Sequence, residues 1–208
     1  MEPLILQYGA VDKTQLRLLE QLMHSKELKN FYLVGGTALA LYLGHRKSID
    51  LDLFYHDHFD AEVIADFLNN SFETSSVEVA KNIVRCFINN VKIEILAHRY
   101  PLVEDVTISN NIRLAGLKDL AAMKLNAVTN RGLKKDFLDI GALLDIFTLE
   151  EMLKYYQHKY PMSSLWQVEK SLSWFVDADN ESTEIIDLKG FEWQTIKEKI
   201  LSETKKLF

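Results

Sequence analysis

Apolar residues recur at two different periods along this chain, and the change of period divides it. Between Asp12 and Leu28, the residues Leu16, Leu19, Leu22 and Met23 fall at steps of three and four. That spacing predicts an amphipathic helix, with Asp12 placed to cap it. Phe31-Tyr32-Leu33-Val34 reads as a short buried strand, Gly35-Gly36 breaks it, and 37–43 has the composition of a helix opened by a Thr37 cap. Residues 49–54 alternate apolar and acidic side chains, Ile-Asp-Leu-Asp-Leu-Phe, which predicts a strand with one apolar and one carboxylate face. A helix is expected at about 61–70. Residues 83–88 and 91–96 flank Asn89-Asn90. Asn tolerates positive φ, so this pair marks a hairpin.

After Pro101 the pattern turns helical, with segments expected over 117–128, 133–147, 149–158, 164–175 and 193–207 and an acidic loop between Asp177 and Gly190. The predicted fold class is α+β: a mixed β-sheet lobe with flanking helices over 1–110, followed by a helical lobe over 111–208 packed on it. No repeat, low-complexity tract or Pro/Gly/Ser-rich linker separates the two.

Composition narrows the function classes. The chain has 208 residues, 24 Lys+Arg against 30 Asp+Glu, and 48% apolar residues, ample for a packed core without staples. A net charge of −6 excludes a generally basic nucleic-acid coat, though not a local basic patch. The single Cys86 excludes a disulfide framework and any multi-cysteine zinc site, and its apolar surroundings predict a buried structural thiol. The longest stretch without Asp, Glu, Lys or Arg, Asn30 to His45, is shorter than the roughly 20 residues of a membrane span. The N-terminus carries Glu2 and no basic region, unlike a signal peptide. A cytoplasmic protein with no membrane partner is expected.

Three groups of residues carry candidate chemistry. In the first, Gly35 and Gly36 after a strand let the backbone approach a charged ligand, and amides opening the next helix can face phosphate. Asp50 and Asp52, two apart on a strand, leave the same face together with Ser48 and can grip one hard cation. Without a cation they repel, so at least one should hold its proton more tightly than usual. Alone, a Gly-Gly is usually a turn and a D-x-D usually a solvated strand face. Their succession is the specific signal.

The second group is Glu94, acidic between two isoleucines on the second hairpin arm, which would complete a three-carboxylate site for two Mg²⁺ ions. In the third, Lys124 and Arg131 are seven apart on one helix face and suit a triphosphate, while Lys135 and Asp139 are four apart and can pair. A salt-bridged solvated surface is the competing account of this group. If Lys124 holds phosphate, replacing it with Ala should change folding stability by less than about 0.5 kcal/mol.

Taken together, Gly35-Gly36-Thr37, Ser48-Ile-Asp50-Leu-Asp52-Leu-Phe and Lys124…Arg131…Lys135-Asp136-Phe-Leu-Asp139 resemble the AbiEii/AbiGii toxin family of the DNA polymerase β-type nucleotidyltransferase superfamily. The resemblance spans roughly residues 30–145. It implies a two-metal site using Mg²⁺ or Mn²⁺, a nucleoside triphosphate as substrate, and transfer of a nucleotide to an acceptor, often tRNA, or another RNA or a protein. It also implies the toxin component of a toxin–antitoxin or phage-defence system, with a cognate antitoxin as partner. On this basis the catalytic residues are Asp50, Asp52, Glu94, Lys124 and Asp139. Gly35, Gly36, Thr37, Ser48, Lys124 and Arg131 bind the nucleotide, and Asp50, Asp52 and Glu94 hold the metal. Glu94 is the weaker match, since relatives often carry Asp there or lose the third acid.

Two rival readings differ in class. A metal nuclease places a Lys two residues after its last acid, where this chain has Leu96, and Lys92 precedes Glu94 instead. A Ser hydrolase lacks its G-x-S-x-G, and His56 and His58 sit in a charged loop best read as solvated. The remaining alternative is a catalytically inactive module of the same fold that binds nucleotide or a partner. Retention of both aspartates and both glycines argues against it.

Overall fold

The computed structural model describes residues 4–182 and 184–207, so Glu2 and Thr183 lie outside it. Its centre is a seven-stranded mixed sheet of β1 (Tyr32–Val34), β2 (Leu51–Tyr55), β3 (Thr74–Ala80), β4 (Ile83–Ile88), β5 (Val91–Ala97), β6 (Thr107–Ser109) and β7 (Ile112–Leu114), in the order β3-β4-β5-β2-β1-β7-β6. β2 runs parallel to β5 and β1 parallel to β7, and the other neighbours are antiparallel. The β4–β5 hairpin turns on Asn89 and Asn90, both at positive φ (51° and 63°), as a two-residue turn requires.

The alternation read from the sequence places one row of each central strand in the core. Leu51 and Leu53 of β2, Val84, Cys86 and Ile88 of β4, and Val91, Ile93 and Ile95 of β5 are all buried. The intervening residues, among them Asp52 and Glu94, leave by the other face. Helix α1 (Lys13–His24) packs near β7 and α3 (Ala61–Ser71) on β3 and β4. Asp12 caps α1 by accepting from the Gln15 amide at 2.8 Å. Cys86 is a buried core thiol whose pKa burial pushes up to about 11.

α2 (Gly35–Leu43) follows β1 without a loop. It starts at Gly35, not at a Thr37 cap: Thr37 is fully buried in the first turn, where its hydroxyl donates to the Asp50 carbonyl oxygen and lies 2.9 Å from Ser48 Oγ. That bond holds the chain leading into β2 against α2. In consequence Ile49 and Asp50 precede the strand, which opens at Leu51.

Helices α4 (Leu117–Asn130), α5 (Lys134–Leu143), α6 (Leu149–Lys159), α7 (Leu165–Leu172), α8 (Val176–Asp179) and α9 (Trp193–Lys205) follow. α4 and α5 contact α2, which joins the later helices to the sheet. β7 lies beyond residue 110 yet pairs with β1, so the sheet draws on residues up to 114. Buried Lys159 at the end of α6 donates to Asp119 Oδ1 at 2.6 Å, and Asp119 also accepts the Val103 and Glu104 amides, anchoring the crossing between sheet and helices. No helix among the described residues is long and apolar enough to cross a membrane.

Candidate active site

Asp52 stands on the open face of β2, beside the first turn of α2. Gly35 has φ 69°, and a Cβ there would collide with the Asp52 carboxylate. Glycine is thus demanded twice, by a left-handed backbone and by the approach of an acid to a helix N-terminus. At Gly36 a Cβ would meet the Arg46 guanidinium and Ser48 Oγ. Asp52 and Glu94 are register partners on the parallel pair β2–β5, so both acids project from the same face side by side. Burial, then the neighbouring Glu94 and Asp50 charges, push the Asp52 pKa from 3.8 up to about 6. The repulsion expected of crowded acids is therefore centred on Asp52.

Glu94 is not a free third ligand. Arg85, its register partner on β4, donates from Nε to Glu94 Oε1 at 2.6 Å. Among the described residues no group of three or more His, Cys, Asp or Glu is arranged to hold a metal ion. Asp50, Asp52 and Glu94 line one cleft, with Glu94 held by Arg85 rather than standing free beside the two aspartates.

The Lys124–Asp139 motif takes a different form from the one expected. Lys124 is buried, with Nζ 3.0 Å from Asp136 Oδ1 and 2.6 Å from Asp139 Oδ2. Arg46 donates Nε and Nη2 to the two oxygens of Asp139 at 2.7 and 2.9 Å, and His45 Nε2 lies 2.6 Å from Asp139 Oδ1. Arg131 makes a second fork, to Asp136, at 2.8 and 3.0 Å. Burial would raise both aspartates, but Lys124 with Arg46 holds Asp139 well below the carboxylate range, and Lys124 with Arg131 lowers Asp136. Burial likewise opposes the Lys124 charge, and Asp139 and Asp136 outweigh it, raising its pKa. Lys124 is thus clamped by two acids, which argues that its loss lowers stability, against the small change expected from a surface phosphate ligand. The expected Lys135–Asp139 pair also gives way, because Asp139 is taken by Lys124, Arg46 and His45 and points into the core.

The cleft has two chambers. One, of about 230 Å³, is charged: Arg46, Lys47, Lys92, Arg131 and Lys135 surround Gly36, Ser48 and the three acids. The other, of about 350 Å³, is mostly apolar and shares Asp52, Glu94, Lys124 and Arg131 with the first. One wall of the charged chamber was not legible in the sequence: Glu184, Ile185 and Ile186 of the acidic loop line it. The loop is held along residues 45–47, with Lys47 N donating to Ile186 O at 2.8 Å and Leu188 N to His45 O at 3.0 Å. The Ile185-Ile186 pair amid acids was the only sequence signal for it. Arg46 was missed as an anchor of Asp139, since no period links residues 93 apart.

The model of the nucleotidyl transferase AbiEii toxin family, of type IV toxin–antitoxin systems, matches residues 17–206. The uncharacterized protein aq_aa25 of Aquifex aeolicus (strain VF5) is 33% identical over 192 residues, 89% of this chain and 92% of that protein. In fold, the crystal structure of JHP933 from Helicobacter pylori superposes with a TM-score of 0.56 at 19% identity, covering 95% of this chain and 93% of that one. MenT4, a nucleotidyltransferase toxin from Mycobacterium tuberculosis H37Rv, superposes with a TM-score of 0.50 at 15% identity, over 92% and 84% of the two chains.

Proposed function

The chain belongs to the nucleotidyl transferase AbiEii toxin family, and we propose that it moves a nucleotide from an NTP to an acceptor using Mg²⁺ or Mn²⁺ held by Asp50 and Asp52. The observation that carries this reading is that Asp50 and Asp52 line one cleft together with Lys47, Lys92, Arg131 and Lys135, where burial and the neighbouring acids push Asp52 up to about 6. A carboxyl raised to about 6 by burial and like charges is a site lacking positive charge, and its hard oxygen donors suit a divalent cation. With Glu94 paired to Arg85, two aspartates and the substrate's own phosphate oxygens form the donor set that fits. When bound, the metal supplies the charge that stabilises oxygens during in-line phosphoryl displacement.

The protein's residues bind and orient. Lys47, Lys92, Arg131 and Lys135 take the triphosphate, and the opening amides of α2 at Gly35-Gly36 give it a polar floor. Thr37 and Ser48 fix the turn that presents Asp50, and Ser48 also lines the phosphate chamber. Asp139 and Asp136 hold Lys124 and Arg131 in place at the junction of the chambers. The acceptor in this reading is RNA, tRNA in the first instance. The family's type IV toxin–antitoxin assignment supports a cognate antitoxin.

Incubation with each α-labelled NTP, total RNA and Mg²⁺ tests the proposal. Wild type should label RNA with at least one NTP, and folded Asp52→Asn should not. Labelling that survives Asp52→Asn, or its absence with every NTP, would overturn it.

A further inference from the structure

The apolar chamber is left over once the phosphates are assigned. We infer that it receives the base of the nucleoside triphosphate, and that His98, Asn126 and Tyr160 decide which base is preferred. The inference rests on the reading above and adds the specificity to it. Position is the first argument. A nucleotide reacts at its α-phosphorus, from which the outer phosphates leave in one direction and the nucleoside in another. Asp52 and Glu94 stand where the two chambers meet, with Lys124 and Arg131 beside them at the junction and Arg46, Lys47, Lys92 and Lys135 in the charged chamber alone.

Surface chemistry is the second argument. Val34, Leu96, Leu120, Met123 and Ala127 wall the chamber, a setting that repels phosphate and suits a flat ring. Phe54 stacks on His98 with ring centroids 4.9 Å apart, and Tyr160 sits beside them with its hydroxyl 3.3 Å from His98 Nε2. Aromatic faces hold bases by stacking, whatever their sequence. Apart from the four charged residues at the junction, the polar groups of the chamber are uncharged and therefore suited to selection. Burial first, then Lys159, lower His98 to about 4, so at neutral pH its imidazole offers one donor and one acceptor. The Asn126 amide offers both kinds as well. The Asn130 side-chain amide donates to the Asn126 backbone carbonyl at 2.7 Å and leaves the Asn126 side chain to the chamber.

Calorimetric titration of the full chain in Mg²⁺ without acceptor, using inorganic tripolyphosphate and each of the four NTPs, tests the assignment. Wild type should bind its preferred NTP at least about tenfold more tightly than tripolyphosphate, the scale of one stacked base. Ala127→Phe, which fills the chamber, should erase that margin and leave tripolyphosphate within about twofold of wild type. His98→Ala with Asn126→Ala should reorder the four NTPs, and this variant carries the test alone if Ala127→Phe does not fold. Equal affinity of wild type for tripolyphosphate and every NTP would overturn the inference. So would unchanged NTP binding in both variants, including the case where only the RNA requirement rises, which would give the chamber to the acceptor. If wild type ignores tripolyphosphate while its NTP binding stays sensitive to Ala127→Phe, the phosphate assignment fails and the base chamber stands.

Discussion

Two groups of acids lie at this cleft, one lining it and the other buried behind its wall, and they are treated in opposite ways. Asp136 and Asp139 are fully buried yet matched by Lys124, Arg46, Arg131 and His45, and both are held below the ordinary carboxylate range. Asp52 is less buried, sits among Asp50 and Glu94, and is raised to about 6. The first group serves the fold, because each charge is returned by a neighbour. The second is left short of positive charge, and that deficit is what a cation and a triphosphate can fill. On the function proposed above, stability and catalysis divide between two sets of the same residue type.

The contrast breaks first at Asp139. Asp139→Asn leaves Lys124 and Arg46 buried with too little negative charge and should cost about 3–5 kcal/mol in urea unfolding. The wild-type contribution has a defined pH window. Asp139 and Asp136 have folded pKa values below 3.8, so their stabilisation is complete above that value and is lost as pH falls through the folded ones. Unfolding followed from pH 6 to pH 2 should therefore show a loss in wild type that is smaller in Asp139→Asn.

Lys124→Ala is the next largest, about 2 kcal/mol, because Asp139 keeps Arg46 and His45, and Asp136 keeps Arg131. Gly35→Ala should cost about 1–2 kcal/mol for a left-handed alanine, with a further displacement of Asp52 read as weakened Mg²⁺-dependent thermal stabilisation. The smallest effect on the fold belongs to Lys135→Ala, within about 0.5 kcal/mol, while calorimetric NTP affinity falls.

Most of the sheet's site-bearing part was legible in the sequence. The alternation over 49–54 put Asp52 opposite Leu51 and Leu53, and Asn89-Asn90 fixed the hairpin that carries Glu94. β6 and β7 escaped, since three-residue strands hold too little pattern to show a period. The edge strand β3 escaped for another reason: nearly all of it is exposed, so no apolar row marks it. The start of α2 was misplaced because a buried threonine bonding a distant carbonyl looks, in sequence, like a cap.

The candidate site was legible as a set of residues and less so as roles. Spacing put Lys124 on a face with Arg131, but only the fold shows that Asp136, Asp139 and Arg46 close over it. The Arg85–Glu94 pair is set by strand register, and an arginine nine residues before an acid gives no sign of it.

The most direct test of this division is the unfolding free energy of Asp52→Asn and Asp139→Asn, measured side by side against pH without metal. In wild type the folded state holds the Asp52 proton up to about pH 6 and the unfolded state only to about 3.8, so stability falls as pH rises through that window. Asn escapes this loss. Asp52→Asn should therefore match wild type near pH 4 and exceed it by on the order of 1–2 kcal/mol above pH 6, where Asp139→Asn is strongly destabilised. Destabilisation of both variants at neutral pH would contradict the account, because Asp52 would then be a structural charge like Asp139.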